Sequence, residues 1–253
     1  MWNIIIIYFK LTLEIESFVN LVKRIKCKMN PVIYLNNVTI TQSGVDILSG
    51  VNLSINKGEF IYLIGKTGVG KSSLLKILYG DIPVKTGEAN ILDINLVKLN
   101  NNKVPFLRRK LGVVFQDFKL LPNKTIKQNL EFVLKATEWK DSSKTNKRIS
   151  EVLKKVKLED VINKYPNELS GGEQQRIAIS RALLNEPEII IADEPTGNLD
   201  PATSLEIMNL IKEINNNGTT ILIATHDYDI ISKFPEKTIR IEKDRFYELS
   251  KKN

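Results

Sequence analysis

The residues best suited to chemistry in this sequence form a glycine-rich stretch, Gly65-Lys66-Thr67-Gly68-Val69-Gly70-Lys71-Ser72. A glycine, four further residues and then Gly-Lys-Ser are typical of a loop whose successive backbone N–H groups surround the phosphates of a nucleotide. In such loops the lysine reaches the β- and γ-phosphates, and the hydroxyl that follows it binds Mg²⁺. These roles fall to Lys71 and Ser72, so the stretch predicts a nucleotide-phosphate site that uses Mg²⁺.

The segments on both sides of the stretch support this interpretation. Phe60–Ile64 is a continuous apolar run that predicts a buried strand, and Ser73–Leu78 has the pattern of a helix. A helix that begins here directs the positive end of its dipole at the phosphates. The predicted site therefore extends one residue beyond the glycine-rich stretch, to Ser73.

Two acidic residues follow another predicted buried strand. Asp193 ends the apolar run Glu188–Asp193, and Glu194 comes directly after it. An ionised carboxylate at the end of a buried strand is costly without a counter-charge, so we expect Asp193 to face Mg²⁺, directly or through water. Glu194 would lie at the carboxyl edge of the sheet, where α/β proteins bind ligands, and would act as general base on an attacking water.

The only histidine in the chain, His226, follows the apolar run Thr219–Thr225. That run predicts a further buried strand, so His226 is expected at the same edge of the sheet as Glu194. From there it could donate a hydrogen bond to the γ-phosphate or to the attacking water. The helical pattern at Leu205–Ile214 lies between the two strands and predicts a βαβ unit.

A second glycine-rich turn, Leu169-Ser170-Gly171-Gly172-Glu173-Gln174, precedes a helical run. Two glycines at the start of a helix again present N–H groups to an anion. Because one phosphate loop already serves the bound nucleotide, a second anion-binding turn makes sense if it completes the site of another subunit.

With these motifs in this order, residues 31–248 resemble the ATP-binding domain of ABC transporters. The resemblance identifies the first glycine-rich stretch as Walker A, Leu169–Gln174 as the signature and Ile189–Asp193 as Walker B. It implies an α/β fold of the P-loop NTPase class, with a mixed β core, an antiparallel β subdomain and an inserted helical subdomain at about 117–185. We expect the whole ATP-binding domain to cover 31–253.

The same resemblance implies how the site works. Two subunits pack head to tail around two ATP molecules, and Ser170 and Gly172 contact the γ-phosphate held by the opposite Walker A loop. Gln116 is the Q-loop glutamine, which binds Mg²⁺ or the attacking water and connects the site to the helical subdomain. Asp200, in the D-loop Gly197–Asp200, communicates between the two sites. The expected activity is hydrolysis of ATP by a homodimer, with ATP and Mg²⁺ as the cofactors.

One segment departs from the family's pattern. The family places an aromatic ring before Walker A to stack on adenine, whereas the matching stretch here is Thr39-Ile40-Thr41-Gln42. Stacking on adenine by this segment is therefore not expected. We predict weak selectivity for the base, with Ile40 or Gln42 as candidate contacts.

Within the family, the segments Val114–Pro122 and Gly197–Asp200 are similar to those of ATPases that act in bacterial cell division. This similarity implies an integral membrane partner, an FtsX-like permease that controls cell-wall hydrolases. It also implies a cytoplasmic location, peripheral on the inner face of the cell membrane. Apolar Phe118, Leu120 and Leu121 would then help to form a groove for a short cytoplasmic helix of the partner.

Two alternatives share part of this pattern. ATPases of lipoprotein-releasing and macrolide-type export systems have nearly the same motifs, so this interpretation stays open. ABC proteins that act on ribosomes or DNA carry two such domains or long coiled-coil insertions, and this sequence has neither. Of the net charge of +8, residues 1–30 carry +3, and the remaining +5 is spread through mixed-sign stretches, which favours proximity to a membrane face over a nucleic-acid partner.

The first thirty residues differ from the rest, and we treat 1–30 as an N-terminal extension. Trp2–Phe9 is apolar but too short to span a bilayer. The apolar residues that follow it recur at helical spacing, which is compatible with an amphipathic helix on a membrane. The interpretation we favour is that Met29 is the true start and 1–28 comes from an over-extended reading frame. The single cysteine, Cys27, excludes a disulfide framework and predicts a reducing compartment.

Overall fold

The computed structural model describes residues 31–242 and 245–249. The predicted N-terminal extension, with its candidate membrane helix and the alternative start at Met29, lies outside the described residues. In chain order the strands are β1 (Ile33–Gln42), β2 (Val45–Ile55), β3 (Phe60–Ile64), β4 (Glu88–Ile91), β5 (Ile94–Asn95), β6 (Leu111–Val114), β7 (Ile189–Asp193), β8 (Thr220–Ala224), β9 (Lys237–Glu242) and β10 (Arg245–Leu249). The α-helices are α1 (Lys71–Leu78), α2 (Val104–Arg109), α3 (Ile126–Ala136), α4 (Ser142–Lys155), α5 (Gly171–Leu183), α6 (Pro201–Asn216) and α7 (Tyr228–Lys233). Within the described part of the chain, none of these helices has the length and apolar character to cross a membrane.

The antiparallel sheet has the strand order β2-β1-β4-β5. β1 and β2 form a hairpin across the turn at Ser43-Gly44, where Gln42 pairs with Val45. Roughly alternate residues of both strands are buried, and their apolar side chains share one core with α1 and one face of the second sheet. This arrangement confirms the predicted antiparallel subdomain.

The mixed sheet has the strand order β10-β9-β3-β8-β7-β6. All its strands pair in parallel except β10, which closes one edge antiparallel to β9. β3 and β8 are buried along their whole length because elements pack on both faces of this sheet. The predicted mixed core and the βαβ unit formed by β7, α6 and β8 are confirmed.

The helices α3, α4 and α5 lie within the range 117–185 that was predicted as an inserted helical subdomain. α3 begins with a capping box: the Thr125 hydroxyl accepts a hydrogen bond from Gln128 N–H, and the Gln128 side chain accepts one from Thr125 N–H. Apolar residues of the three helices form one core with the other face of the mixed sheet. The boundaries of this subdomain remain a prediction.

Buried Asn129 on α3 ties the loop before this helix to its first turn. Its Oδ1 accepts a hydrogen bond from Leu121 N–H at 2.7 Å. Its Nδ2 donates to the carbonyls of Leu121, Lys124 and Thr125 at 3.1, 3.0 and 3.0 Å. One side chain therefore fixes the conformation of residues 121–125.

Replacing Asn129 with alanine should lower the free energy of unfolding by about 1–3 kcal/mol, because part-buried backbone groups would lose their partner. Urea denaturation measures this change. Lys135→Ala, on the exposed side of the same helix, is the matched control and should change stability by less than about 0.5 kcal/mol. An effect of Asn129→Ala no larger than that of the control would contradict this role.

Candidate active site

The phosphate loop connects β3 to α1, and Gly70 turns the chain into the helix. Gly70 is the N-cap of α1 and has a φ of +102°. A Cβ at this position would lie 2.8 Å from Leu48 Cγ, closer than side chains approach one another. Glycine is therefore required here, and it allows α1 to start at Lys71 with its N-terminus facing the loop.

The loop borders a cavity of about 430 Å³. The cavity is lined by Ile47, Thr67, Gly68, Gly70, Lys71, Ser72, Ser73, Gln116, Asp193, Glu194 and His226. Most of the predicted phosphate loop is thus brought together with the four other residues predicted for the same subunit. Gly65, Lys66 and Val69 are not in this lining. The Gly65 and Lys66 carbonyls instead accept hydrogen bonds from Lys71 Nζ, at 2.8 and 3.4 Å.

Asp193 ends β7 beside Ser72, and its environment suits a bound cation. Burial raises the pKa of Asp193, and a hydrogen bond from the Ser72 side chain partly opposes this effect. The oxygens of Ser72, Gln116 and Asp193 are of the kind that Mg²⁺ prefers, together with waters and phosphate. Among the described residues, no group of three or more His, Cys, Asp or Glu could hold a metal ion by itself. The donor set therefore fits an Mg²⁺ ion that is also bound to a nucleotide.

Glu194 and His226 are in direct contact at this cavity. His226 Nδ1 lies 2.6 Å from Glu194 Oε1. Glu194 has a φ of +48°, an uncommon backbone conformation for a residue with a side chain, and such conformations cluster at functional sites. Its N–H donates to the Ala224 carbonyl, which fixes the turn after β7. The Glu194 side chain is 13% exposed and that of His226 is 64% exposed. The imidazole that contacts the carboxylate is therefore accessible to solvent, whereas the carboxylate itself is mostly buried.

Gln116 is held by Asn198, a contact that sequence reasoning missed. Asn198 Nδ2 donates to the Gln116 carbonyl at 3.0 Å, and Gln116 Nε2 donates to Asn198 Oδ1 at 3.4 Å. Because 82 positions separate the two residues, no local pattern could reveal the pair. The contact links the Q-loop and the D-loop within one subunit.

Ser170 and Gly172 lie at the start of α5, outside the cavity lining. Ser170 is the N-cap of α5, and its hydroxyl accepts a hydrogen bond from Glu173 N–H at 3.3 Å. Gly172 is packed against α6, where a Cβ would lie 2.5 Å from Thr203 Cγ2. The contact of Ser170 and Gly172 with a nucleotide of another subunit stays a prediction.

Asp200 is the N-cap of α6 and also lies outside the cavity lining. It accepts hydrogen bonds from the N–H groups of Ala202 and Thr203 at 3.0 Å, and from the Thr203 hydroxyl. These bonds, above all the one from the Thr203 side chain, lower the pKa of Asp200. Thr203 therefore contacts Asp200 through its hydroxyl and faces Gly172 with its methyl group. The role of Asp200 in communication between two sites stays a prediction.

The segment that lacks an aromatic residue contributes little to the cavity. Ile40 is 1% exposed within the core, so the expectation that it contacts the base is wrong. The Gln42 side chain is turned to α1, where its Oε1 accepts a hydrogen bond from the Ser73 hydroxyl at 3.2 Å. Ile47 on β2 is the apolar side chain that lines the cavity.

A second cavity, of about 800 Å³, forms a groove bordered by α2, α3 and β6. Its apolar lining consists of Tyr79, Val104, Pro105, Leu111, Val113, Phe115, Leu121, Phe132, Val133, Ala136 and Ala182. The expectation that Phe118 and Leu120 line this groove with Leu121 is wrong. Leu120 packs on the helical core, and Phe118 approaches Gly171 at the start of α5. Phe118 and Lys119 have φ values of +57° and +49°. This left-handed backbone turns the Phe118 and Leu120 side chains away from the groove.

Comparison with known proteins decides the family. Residues 48–197 match the ABC transporter family. The chain is 47% identical over 203 residues to the cell division ATP-binding protein FtsE of Streptococcus pneumoniae, covering 80% of this chain and 88% of that protein. It is 42% identical over 190 residues to FtsE of Escherichia coli, covering 75% of this chain and 85% of that protein. The chain belongs to the ABC transporter family.

Solved structures of ABC cassettes have the same fold. A dimeric ATP-binding cassette in a post-hydrolysis state, bound to ADP and Pi, matches with a TM-score of 0.76 and 37% identity, covering 86% of this chain and 99% of that chain. The protein cbiO1 of Clostridium perfringens, part of the ABC transporter complex cbiONQ, matches with a TM-score of 0.77 and 31% identity, covering 86% of this chain and 87% of that chain. The predicted fold class, a P-loop ABC ATPase, is confirmed.

Replacing Gly172 with alanine should destabilise the packing of α5 on α6, because the new Cβ would overlap Thr203 Cγ2. We expect a loss of about 1–3 kcal/mol in the free energy of unfolding, measured by urea denaturation. Adding Thr203→Ser removes the methyl group and keeps the hydroxyl that bonds to Asp200, so the double variant should recover most of the loss. If the double variant were as unstable as Gly172→Ala while Thr203→Ser alone had nearly the stability of the parent, the overlap with Thr203 would be excluded as the cause.

Proposed function

We propose that this chain is the ATP-binding and ATP-hydrolysing subunit of an ABC complex that acts in bacterial cell division. The observation that carries the proposal is the contact of Glu194 with His226, 2.6 Å long, in the cavity bordered by the phosphate loop. Relatives at 42–47% identity are named as cell division ATP-binding proteins, which supports the cellular role.

The phosphates of ATP bind against residues 65–73, where backbone N–H groups and the N-terminus of α1 face them. Lys71 is the cation for the β- and γ-phosphates, and its Nζ donates a hydrogen bond to the Gly65 carbonyl at the edge of the same loop. Ser72, Gln116 and Asp193 would hold Mg²⁺, which when bound neutralises part of the phosphate charge. The loop therefore binds and orients the γ-phosphate for attack.

Glu194 is the general base. Its carboxylate lines the same cavity as Lys71 and Ser72, so it is placed to accept a proton from water beside the γ-phosphate. His226 contacts Oε1 and leaves Oε2 of Glu194 for that water. The turn that fixes the backbone of Glu194 keeps the carboxylate in this position.

The active unit is a homodimer. Ser170 and Gly172 of a second copy complete the contacts to the γ-phosphate, because the signature turn of a subunit does not line its own cavity. Asp200 is bonded to Thr203, which packs against Gly172 of the signature turn. From this position Asp200 communicates between the two sites. The dimer closes on ATP and reopens after hydrolysis, which is a rearrangement coupled to γ-phosphate contacts.

Glu194→Gln should reduce ATP hydrolysis at least about 100-fold, the usual contribution of a general base, while the protein still binds ATP and accumulates as a dimer. Phosphate release and size-exclusion chromatography measure the two effects. Lys71→Ala should instead lose ATP binding, and Glu213→Gln, an exposed change on α6, is the control. Hydrolysis by Glu194→Gln at the parental rate would exclude Glu194 as the base.

The groove fits a short amphipathic helix of an integral membrane partner of the FtsX type. Two apolar side chains on its border are accessible, Leu121 at 36% exposed and Phe132 at 55% exposed. Binding to such a partner would locate the ATPase at the inner face of the cell membrane. The partner would then couple closure of the ATPase dimer to the activity of cell-wall hydrolases. Lipoprotein-releasing or macrolide-type export, which the sequence left open, is not favoured, because the similar proteins above are named for cell division.

Phe132→Asp should reduce co-purification of the membrane partner at least about tenfold, because a buried aromatic contact would be replaced by a charge. Val45→Asp makes the same kind of change at an exposed apolar side chain on the β1–β2 hairpin, and it should leave partner capture unchanged. Equal capture by both variants would argue against the groove. A captured partner that extracts lipoproteins, instead of a membrane protein with an extracytoplasmic loop that binds a wall hydrolase, would overturn the cell-division role.

A further inference from the structure

In the signature turn, Ser170, which is proposed to contact the γ-phosphate bound by the other subunit, is bonded to a carboxylate of its own chain. Glu173 Oε2 accepts two hydrogen bonds from Ser170, one from the N–H and one from the hydroxyl, both 2.8 Å long. The Ser170 hydroxyl oxygen in turn accepts a hydrogen bond from Glu173 N–H. Both donors of Ser170 are therefore used by a single carboxylate oxygen.

This carboxylate keeps its negative charge. The hydrogen bonds from the backbone and side chain of Ser170 lower the pKa of Glu173. Arg176, one turn further along α5, forms its ion pair with Glu206 at 2.6 Å. Arg176 and Lys164 lower the pKa of Glu173 further through their positive charges, but within the described residues neither forms an ion pair with it. The ionised carboxylate of Glu173 therefore lies directly on the signature turn.

Helix capping alone does not require that charge. A capping box accepts either glutamate or glutamine at its third helical position. The box at the start of α3 uses Gln128 with Thr125 in the same pattern of hydrogen bonds. A neutral side chain at position 173 could thus cap α5 in the same way, and the charge has a separate consequence.

We infer that Glu173 competes with the γ-phosphate for the signature turn, so that its side chain must leave Ser170 before two subunits close on ATP. The inference rests on the proposed function, in which Ser170 contacts the nucleotide of the other subunit. The two anions need the same donors, and like charges placed side by side repel each other. ADP has no γ-phosphate that could displace the carboxylate, so Ser170 stays bonded to Glu173 when ADP is bound. The strength of this contact therefore sets the concentration of ATP at which the dimer closes.

Glu173→Gln in the full-length chain tests this inference, because it keeps the capping box and removes the charge. In the Glu194→Gln background, which blocks hydrolysis, sedimentation velocity measures dimerisation with ATP. The dimer dissociation constant should fall by about tenfold or more at low salt, the order expected for removing a like-charge contact near a protein surface. The difference should shrink as NaCl is raised from about 0.05 M to about 0.5 M, since salt screens the repulsion.

Glu168→Gln is the matched control. The Glu168 Oε2 accepts a hydrogen bond from Tyr165 N–H at 2.6 Å in the short turn before the signature, so the same charge is removed without contact to Ser170. Dimerisation of this control should equal that of the parent. An unchanged or weaker dimer for Glu173→Gln overturns the inference and leaves the proposed function standing. A Glu194→Gln parent that forms no dimer with ATP overturns both.

Discussion

The carboxyl ends of β3, β7 and β8 meet at one edge of a buried parallel sheet, and the site depends on this arrangement. β3 pairs with β8 and β8 pairs with β7, so the segments that follow the three strands become neighbours. Those segments are the phosphate loop, Asp193-Glu194 and His226. Because the strands are almost fully buried and closely packed, the sheet fixes the backbone from which these polar groups extend. The close packing of these strands also stabilises the left-handed backbone conformation of Glu194.

The turn predicted to bind a second anion belongs to a different part of the molecule. The signature turn at the start of α5 packs on α6 through Gly172 and Thr203, and Thr203 also bonds to Asp200. The signature turn and Asp200 are therefore joined through Thr203 within a subunit, and neither Ser170, Gly172 nor Asp200 lines the phosphate-loop cavity. A chain that binds phosphate at both places needs two copies, since neither turn reaches the other within one subunit.

The sequence predicted most of the fold because its signals are strong where burial is complete. Continuous apolar runs mark the parallel strands, and motifs mark the residues at their ends. The contacts that were missed depend on register and backbone conformation. Ile40 faces the core at a point where the pairing of β1 and β2 shifts in register, so alternation does not show its direction. The Gln116–Asn198 pair and the left-handed loop at Phe118 likewise have no local signal.

The groove and the signature turn are connected by a single helix. Arg181, near the end of α5, donates to the carbonyls of Phe118 and Lys119, and burial lowers its pKa to about 10. Ser170 caps the other end of this helix of 13 residues, about 20 Å away at 1.5 Å per residue. A helix transmits a displacement along its length because its backbone hydrogen bonds are closed within it. A displacement at the groove can therefore reach the site through the loop that contains Gln116, or reach the hydrogen bonds of Ser170 through α5.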